Sequence, residues 1–167
     1  NPSSTRASNS FSLYTYLQNN LIESLASGVT ITMSTPGSFL TAAISSSSSM
    51  NGASASFILS IMPNIVLPVA GILKLTIPTD VSLVSPSCSN ITTTPTTSLV
   101  CNVSGNILSI GLSSTDPITT SVAYKYQISG FTNPRTMTTS GTFGLICYTS
   151  DGFYQVAQAT LSGITNS

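Results

Sequence analysis

Apolar and polar residues alternate along most of this chain. Phe11, Leu13 and Thr15 fall on one side of an extended segment, with Ser10, Ser12 and Tyr14 on the other. Val29, Ile31 and Met33 alternate with Thr30 and Thr32, and Leu73, Leu75 and Ile77 alternate with Lys74 and Thr76. A period of two marks a half-buried strand. The same pattern predicts strands over residues 53–61, 106–112, 121–128 and 153–161. Between them fall Pro36-Gly37, Asn51-Gly52, Pro78, Ser104-Gly105, Asp116-Pro117 and Asp151-Gly152, all turn-forming. Residues 18–27 (QNNLIESLAS) read as a helical turn or equally as a hairpin loop. Many short strands at fairly even spacing, with no amphipathic helix, predict an all-β fold, an antiparallel Ig-like or Greek-key β-sandwich.

One stretch of the pattern occurs twice. Residues 1–16 (NPSSTRASNSFSLYTY) align without a gap on residues 133–148 (NPRTMTTSGTFGLICY) at an offset of 132. Asn1/Asn133, Pro2/Pro134, Ser8/Ser140, Phe11/Phe143, Leu13/Leu145 and Tyr16/Tyr148 coincide. An offset of domain size predicts one sandwich repeat over residues 1–132 and the opening strands of a second copy over 133–167. The second segment, 35 residues long, is too short to bury a core alone. The two copies therefore read as rival occupants of one strand position, one completing its own sandwich and the other a neighbour's. On this reading Phe11, Leu13, Tyr16, Phe143, Leu145 and Tyr148 are assembly residues, and the partner is the chain itself. Units join head to tail, by strand addition to an exposed sheet edge or as covalent tandem repeats.

Composition strengthens the case for assembly. The chain has four basic and four acidic residues, no His and zero net charge, where ordinary domains are about a quarter charged. About a third of its residues are Ser or Thr. A surface so poor in charge tends to associate unless something else solubilises it, and sheet edges without Lys lack the usual protection against pairing. Nucleic acid is excluded as a partner, because no basic patch is present to neutralise phosphates. The most apolar run, Phe57 to Leu73, is broken by Pro63, Asn64 and Pro68. It reads as two buried strands and a turn rather than a membrane span. There is no initiator Met and no signal peptide, as in a processed chain or a piece of a longer one.

Cys88 and Cys101 flank a short turn-rich stretch that a disulfide can close, worth about 3 kcal/mol for a loop of that size. Two N-glycosylation sequons adjoin it, Asn90-Ile91-Thr92 and Asn102-Val103-Ser104. Thr92, Thr93, Thr94, Thr96 and Thr97, clustered around Pro95, suit O-glycosylation or a plain solvated loop. A second low-complexity run is Ser45–Ser49. Disulfide and sequons together predict a secreted or cell-surface protein carrying covalent glycans. Cys147, the remaining thiol, reads as a buried free cysteine in a strand, with an intermolecular bridge or an alternative pairing with Cys88 or Cys101 as the functional alternative.

Catalysis has little support. Without His the commonest general base and metal ligand is missing, and Glu23, Asp80, Asp116 and Asp151 are scattered near turns. No catalytic residue, cofactor or metal ligand is predicted, and the chain does not read as an enzyme. Tyr14, Tyr16, Tyr124, Tyr126, Tyr148 and Tyr154 have the chemistry of a sugar-stacking platform, though tyrosines on strands more often pack across strands.

The order of segments adds a resemblance. The strand Ala55–Ile61 is followed by Leu67–Pro78 (LPVAGILKLTIP), then the Cys88…Cys101 pair, then Ile128–Pro134 (ISGFTNP). This order resembles the tandem Ser/Thr-rich β-sandwich repeats of large secreted cell-surface or fibrous glycoproteins of protists, ciliates especially. The resemblance implies an extracellular fibrous role and carries over no catalytic residue. The expected function is a structural subunit or repeat of a glycosylated extracellular filament. An adhesin-like or carbohydrate-binding surface module is the alternative.

Overall fold

A computed structural model describes residues 4–33, 35–92, 97–112 and 115–165. Its twelve strands are β1 (Phe11–Leu17), β2 (Asn20–Val29), β3 (Gly37–Ser46), β4 (Ser54–Pro63), β5 (Ile72–Thr76), β6 (Ser82–Asn90), β7 (Thr97–Leu99), β8 (Cys101–Ser104), β9 (Ile107–Gly111), β10 (Tyr124–Thr132), β11 (Phe143–Tyr148) and β12 (Gln155–Leu161). Among the described residues there is no helix, so the fold is all-β.

Ten strands share one hydrogen-bonded order, β7-β6-β10-β4-β3-β12-β11-β5-β9-β8. That order doubles back into two five-stranded layers. Phe57 of β4 packs edge-on against Phe143 of β11 at 6.3 Å. At the far ends of the order, Cys88 of β6 is bonded to Cys101 of β8. Pairing inside each layer is antiparallel. The layers meet through one short parallel pair, Ala157↔Gly37 and Gln158↔Ser38, between β12 and β3. The sandwich is thus antiparallel, as expected, except at this seam, which no local alternation encodes.

Alternation becomes burial. β4 buries Ala55, Phe57, Leu59, Ile61 and Pro63 and turns the residues between them outward. β5, β9 and β11 do the same with Leu73 and Leu75, Leu108 and Ile110, and Phe143, Leu145 and Cys147. Phe57 also stacks on Phe131 at 3.9 Å. Gly130 (φ +90°) lets β10 bulge against β6, because any Cβ there would collide with the Val84 carbonyl. The Ser45–Ser49 run is no mere solvated loop. Ser45 and Ser46 close β3, and buried Asn133 holds the turn beyond them. Its Oδ1 accepts from Ser46 Oγ at 2.9 Å, and its Nδ2 donates to the carbonyls of Ser48 and Met50 at 2.7 and 3.0 Å.

The segment read as helical turn or hairpin loop is strand. Gln18 and Asn19, with φ of 50° and 67°, form a two-residue turn, and β2 begins at once and pairs antiparallel with β1. Positive φ at both central positions is the turn whose twist suits a hairpin. β1 and β2 form a separate two-stranded sheet outside the sandwich.

Candidate functional site

Every residue of β1 is exposed, and every residue of β2 but Val29. Yet the hairpin is strongly apolar on both faces. Leu13 and Leu25 lie opposite each other, as do Tyr16 and Leu21. Tyr14 and Tyr16 stand side by side with ring centroids 6.5 Å apart. Phe11, Leu17 and Ile22 are exposed as well. A sandwich strand alternates because one face meets water, whereas a strand apolar on both faces is built to be covered. An isolated two-stranded hairpin is marginal in water. This one is tied to the sandwich at its base: Thr5 N–H donates to the Gln155 carbonyl at 2.8 Å, Gln155 N–H donates to Thr5 Oγ1 at 3.1 Å, and Arg6 lies over the Tyr154 ring at 5.5 Å.

At its root the hairpin repeats β11–β12. Phe11 pairs with Val29, and 132 residues later Phe143 pairs with Leu161. Below that pair, each hairpin is closed by one serine in the same way. Ser8 N–H donates to the Ile31 carbonyl (2.8 Å), Ile31 N–H donates to Ser8 Oγ (2.9 Å), and that hydroxyl donates to the Asn9 carbonyl (2.9 Å). Ser140 repeats all three bonds with Ile164 and Gly141, at 2.9, 2.8 and 3.0 Å. The copies part toward the tip, where Leu13 faces Leu25 but Leu145 faces Ala159, a two-residue change of register.

Burial separates them entirely. Phe11 is 46% exposed and Phe143 0%; Leu13 is 54% and Leu145 0%; Ile31 is 44% and Ile164 6%. Of the six residues expected at an assembly surface, Phe11, Leu13 and Tyr16 stand in the open. Phe143 and Leu145 are core, and half-buried Tyr148 carries Lys74 Nζ 4.5 Å above its ring.

At the opposite side of the sandwich, Cys88 and Cys101 form the disulfide anticipated from their spacing, with Cα atoms 6.0 Å apart. Asn102 lies on β8, exposed. Asn90 is half-buried at the end of β6, and its Oδ1 accepts from Thr92 N–H at 3.0 Å. The Thr92 hydroxyl accepts from Lys125 N–H at 2.6 Å. Thr93, Thr94 and Thr96 lie outside the described residues, as does the side chain of Thr97. Cys147 is free and buried, and burial pushes its thiol up to about 12. A thiol held neutral in an apolar core is inert.

Nearby, a groove of about 730 Å³ is lined by Leu99, Leu112, Ile118, Tyr124 and Tyr126, with Asp116 at its rim. Tyr124 takes part at its mouth, its hydroxyl accepting from Thr119 N–H at 3.2 Å. Among the described residues no three His, Cys, Asp or Glu gather as a metal site would require. No helix there is long and apolar enough to cross a membrane.

Sequence reasoning found β1 and its echo but missed three features around the hairpins. The serine clamp was visible only as the coincidence Ser8/Ser140. β2 was hidden by adjacent apolar residues, Leu21-Ile22. β3 was masked by serine, and beyond the two residues paired to β12 its outer edge, from Phe39 to Ser46, meets no other described strand.

No protein-family model matches the chain, and no curated protein does. Solved structures share its layered β architecture at low identity. A non-cellulosomal cohesin from the hyperthermophilic archaeon Archaeoglobus fulgidus is 16% identical, with a TM-score of 0.42 over 75% of this chain and 91% of that one. BslA, a bacterial hydrophobin, is 16% identical, with a TM-score of 0.41 over 74% and 98%. BcpA, the major pilin subunit of Bacillus cereus, is 7% identical, with a TM-score of 0.40 over 79% and 36%. At such scores the likeness carries no functional weight.

Proposed function

We propose that this chain is a structural subunit or repeat of an extracellular, glycosylated filament, joined head to tail through its N-terminal hairpin. One observation carries the reading: the chain builds the same clamped hairpin twice, burying β11–β12 and leaving β1–β2 bare. The eight large apolar side chains from Phe11 to Leu25, each about half exposed, present on the order of 800 Å², what one partner contributes to a standard stable interface. The near absence of charge supports the same reading, since nothing on β1 or β2 except Glu23 opposes close contact. An extracellular setting is supported by the disulfide and by exposed Asn102 on an edge strand. In that setting, glycans at Asn102 and Asn90 keep the far side of the sandwich soluble while the hairpin associates.

Sedimentation and electron microscopy of the purified full chain test this. Self-association into linear particles is expected, reverting to monomer with Leu13→Asp. A wild-type chain that stays monomeric at high concentration, with β1 and β2 amides exchanging freely, would sink the proposal.

A carbohydrate-binding module is the second reading, favoured by the groove at Tyr124 and Tyr126. It requires saturable binding of oligosaccharides that Tyr124→Ala weakens and Leu13→Asp leaves unchanged.

A further inference from the structure

We infer that the β1–β2 hairpin is shaped to close another copy of this sandwich, by taking the position that β11–β12 holds between β5 and β3. The inference rests on the hairpin being an assembly element and specifies the surface that receives it.

The site-by-site fit is close along β1. β11 lies antiparallel to β5, with Gly144 opposite Thr76, Leu145 opposite Leu75, Cys147 opposite Leu73 and Tyr148 opposite Ile72. At the same offset β1 supplies Ser12, Leu13, Thr15 and Tyr16. Two of these are identical to their counterparts, and Thr15 is close to Cys147 in volume. Ser12 for Gly144 adds a Cβ that would meet only the Thr76 side chain at 3.5 Å, an ordinary contact. Phe11 would stand where Phe143 meets Phe57, and Tyr16 where Tyr148 lies under Lys74. Tyr14 replaces half-buried Ile146 on the outward face, where size is tolerated. The serine clamp completes the match, because Ile31 would take the core position of Ile164.

Counting occupants then fixes which copy can accept. Each chain carries two such hairpins and one such position, already filled by its own β11–β12. Exchange at this position between intact chains therefore leaves one hairpin bare and gains nothing, so association of wild type alone through Leu13 uses another surface. The acceptor must be a sandwich of this fold without a closing hairpin of its own. A unit joined ahead of the hairpin in a tandem polypeptide would be such a sandwich, with residues 4–33 closing that unit and residues 35–165 forming the next.

The experiment vacates the position in the full chain with Phe143→Asp and Leu145→Asp together. This variant keeps one good hairpin and one empty position per molecule, so alone it should grow into open linear polymers. Mixed with excess wild type, it should instead be capped, giving a complex of about twice 17.2 kDa. Capping should regenerate sandwich stability and slow amide exchange in β1 of the wild-type donor. A wild-type donor carrying Leu13→Asp should lose the complex. Failure of wild type to recruit the variant, whether the variant is unfolded or aggregated, overturns the inference, and so does recruitment that survives Leu13→Asp. If wild type self-associates through Leu13 yet cannot rescue the variant, the filament reading stands and the acceptor is another surface. If rescue succeeds while wild type alone stays monomeric, the acceptor is right and the homopolymer is wrong.

Discussion

β1–β2 and β11–β12 begin from the same root pair, close with the same three serine hydrogen bonds, and end in different worlds. One lies between two strands and over a core; the other forms a sheet of its own, beside the contacts that Thr5 and Arg6 make with the sandwich. Local sequence was enough to form both hairpins, since turn, clamp and alternation act within about thirty residues. It was not enough to decide which one is buried. That choice depends on what the chain offers next to it: β12 can pair with β3 at Gly37 and Ser38, and β11 with β5, whereas β1–β2 finds no second position. Hairpin formation and hairpin burial are therefore separable, and the two copies form an internal control for each other.

The largest test of that separation is Phe143→Ala against Phe11→Ala. Removing a ring at 0% exposure should cost about 3–5 kcal/mol of unfolding free energy in urea titrations. The same change at Phe11 should stay within about 0.5 kcal/mol for the monomer. Equal losses would mean that β1 is packed in solution. Next, replacing Cys88 and Cys101 together by Ser should lower sandwich stability by about 3 kcal/mol, while amide exchange across β1–β2 stays as it was. A coupled change would show that the outer hairpin shares the sandwich's cooperativity.

Ser140→Ala should cost about 1–3 kcal/mol, because it strands the buried Ile164 N–H. Ser8→Ala leaves Ile31 N–H free to meet water and should fall within about 1 kcal/mol. The smallest signal is chemical. Thr15 occupies the place of Cys147, so Thr15→Cys creates the exposed counterpart of a buried thiol. At pH 8 Thr15→Cys should be alkylated readily, and Cys147 only as the chain unfolds. The Cys147 thiol is raised from 9.0 to about 12 by burial. Its neutral form is therefore favoured by folding, and the associated stability is intact below pH 9 and lost as pH rises toward 12. Alkylation of Cys147 as fast as the residue 15 variant would refute its placement in the core.

How much of this was legible depends on what each residue answers to. Strands with one wet face, such as β4, β5 and β9, declared themselves, because burial imposes period two directly on the sequence. β2 did not, since Leu21, Ile22 and Leu25 sit at a spacing that suits a helix as well as a two-faced strand. β6 was concealed by Pro86 and four serines, and it pairs with β10 across the bulge at Gly130. The seam between β3 and β12 joins residues 120 apart in sequence, Gly37 and Ala157, and no local rule encodes it. For the candidate site, the echo at offset 132 was visible in the letters, but which copy faces water was not.

That seam also determines how the sandwich would respond to a pull on its two ends. β3 is the first strand of the sandwich and β12 its last, and they lie side by side pointing the same way. Such a pull enters at the start of β3 and leaves at the end of β12. Parallel neighbours drawn from opposite ends slide past each other, so their hydrogen bonds are strained together rather than opened one by one. Stretching single molecules should accordingly show the sandwich giving way in one abrupt event. The loop closed by Cys88 and Cys101 should then stay furled, withholding on the order of 45 Å of extension that a reduced chain would release.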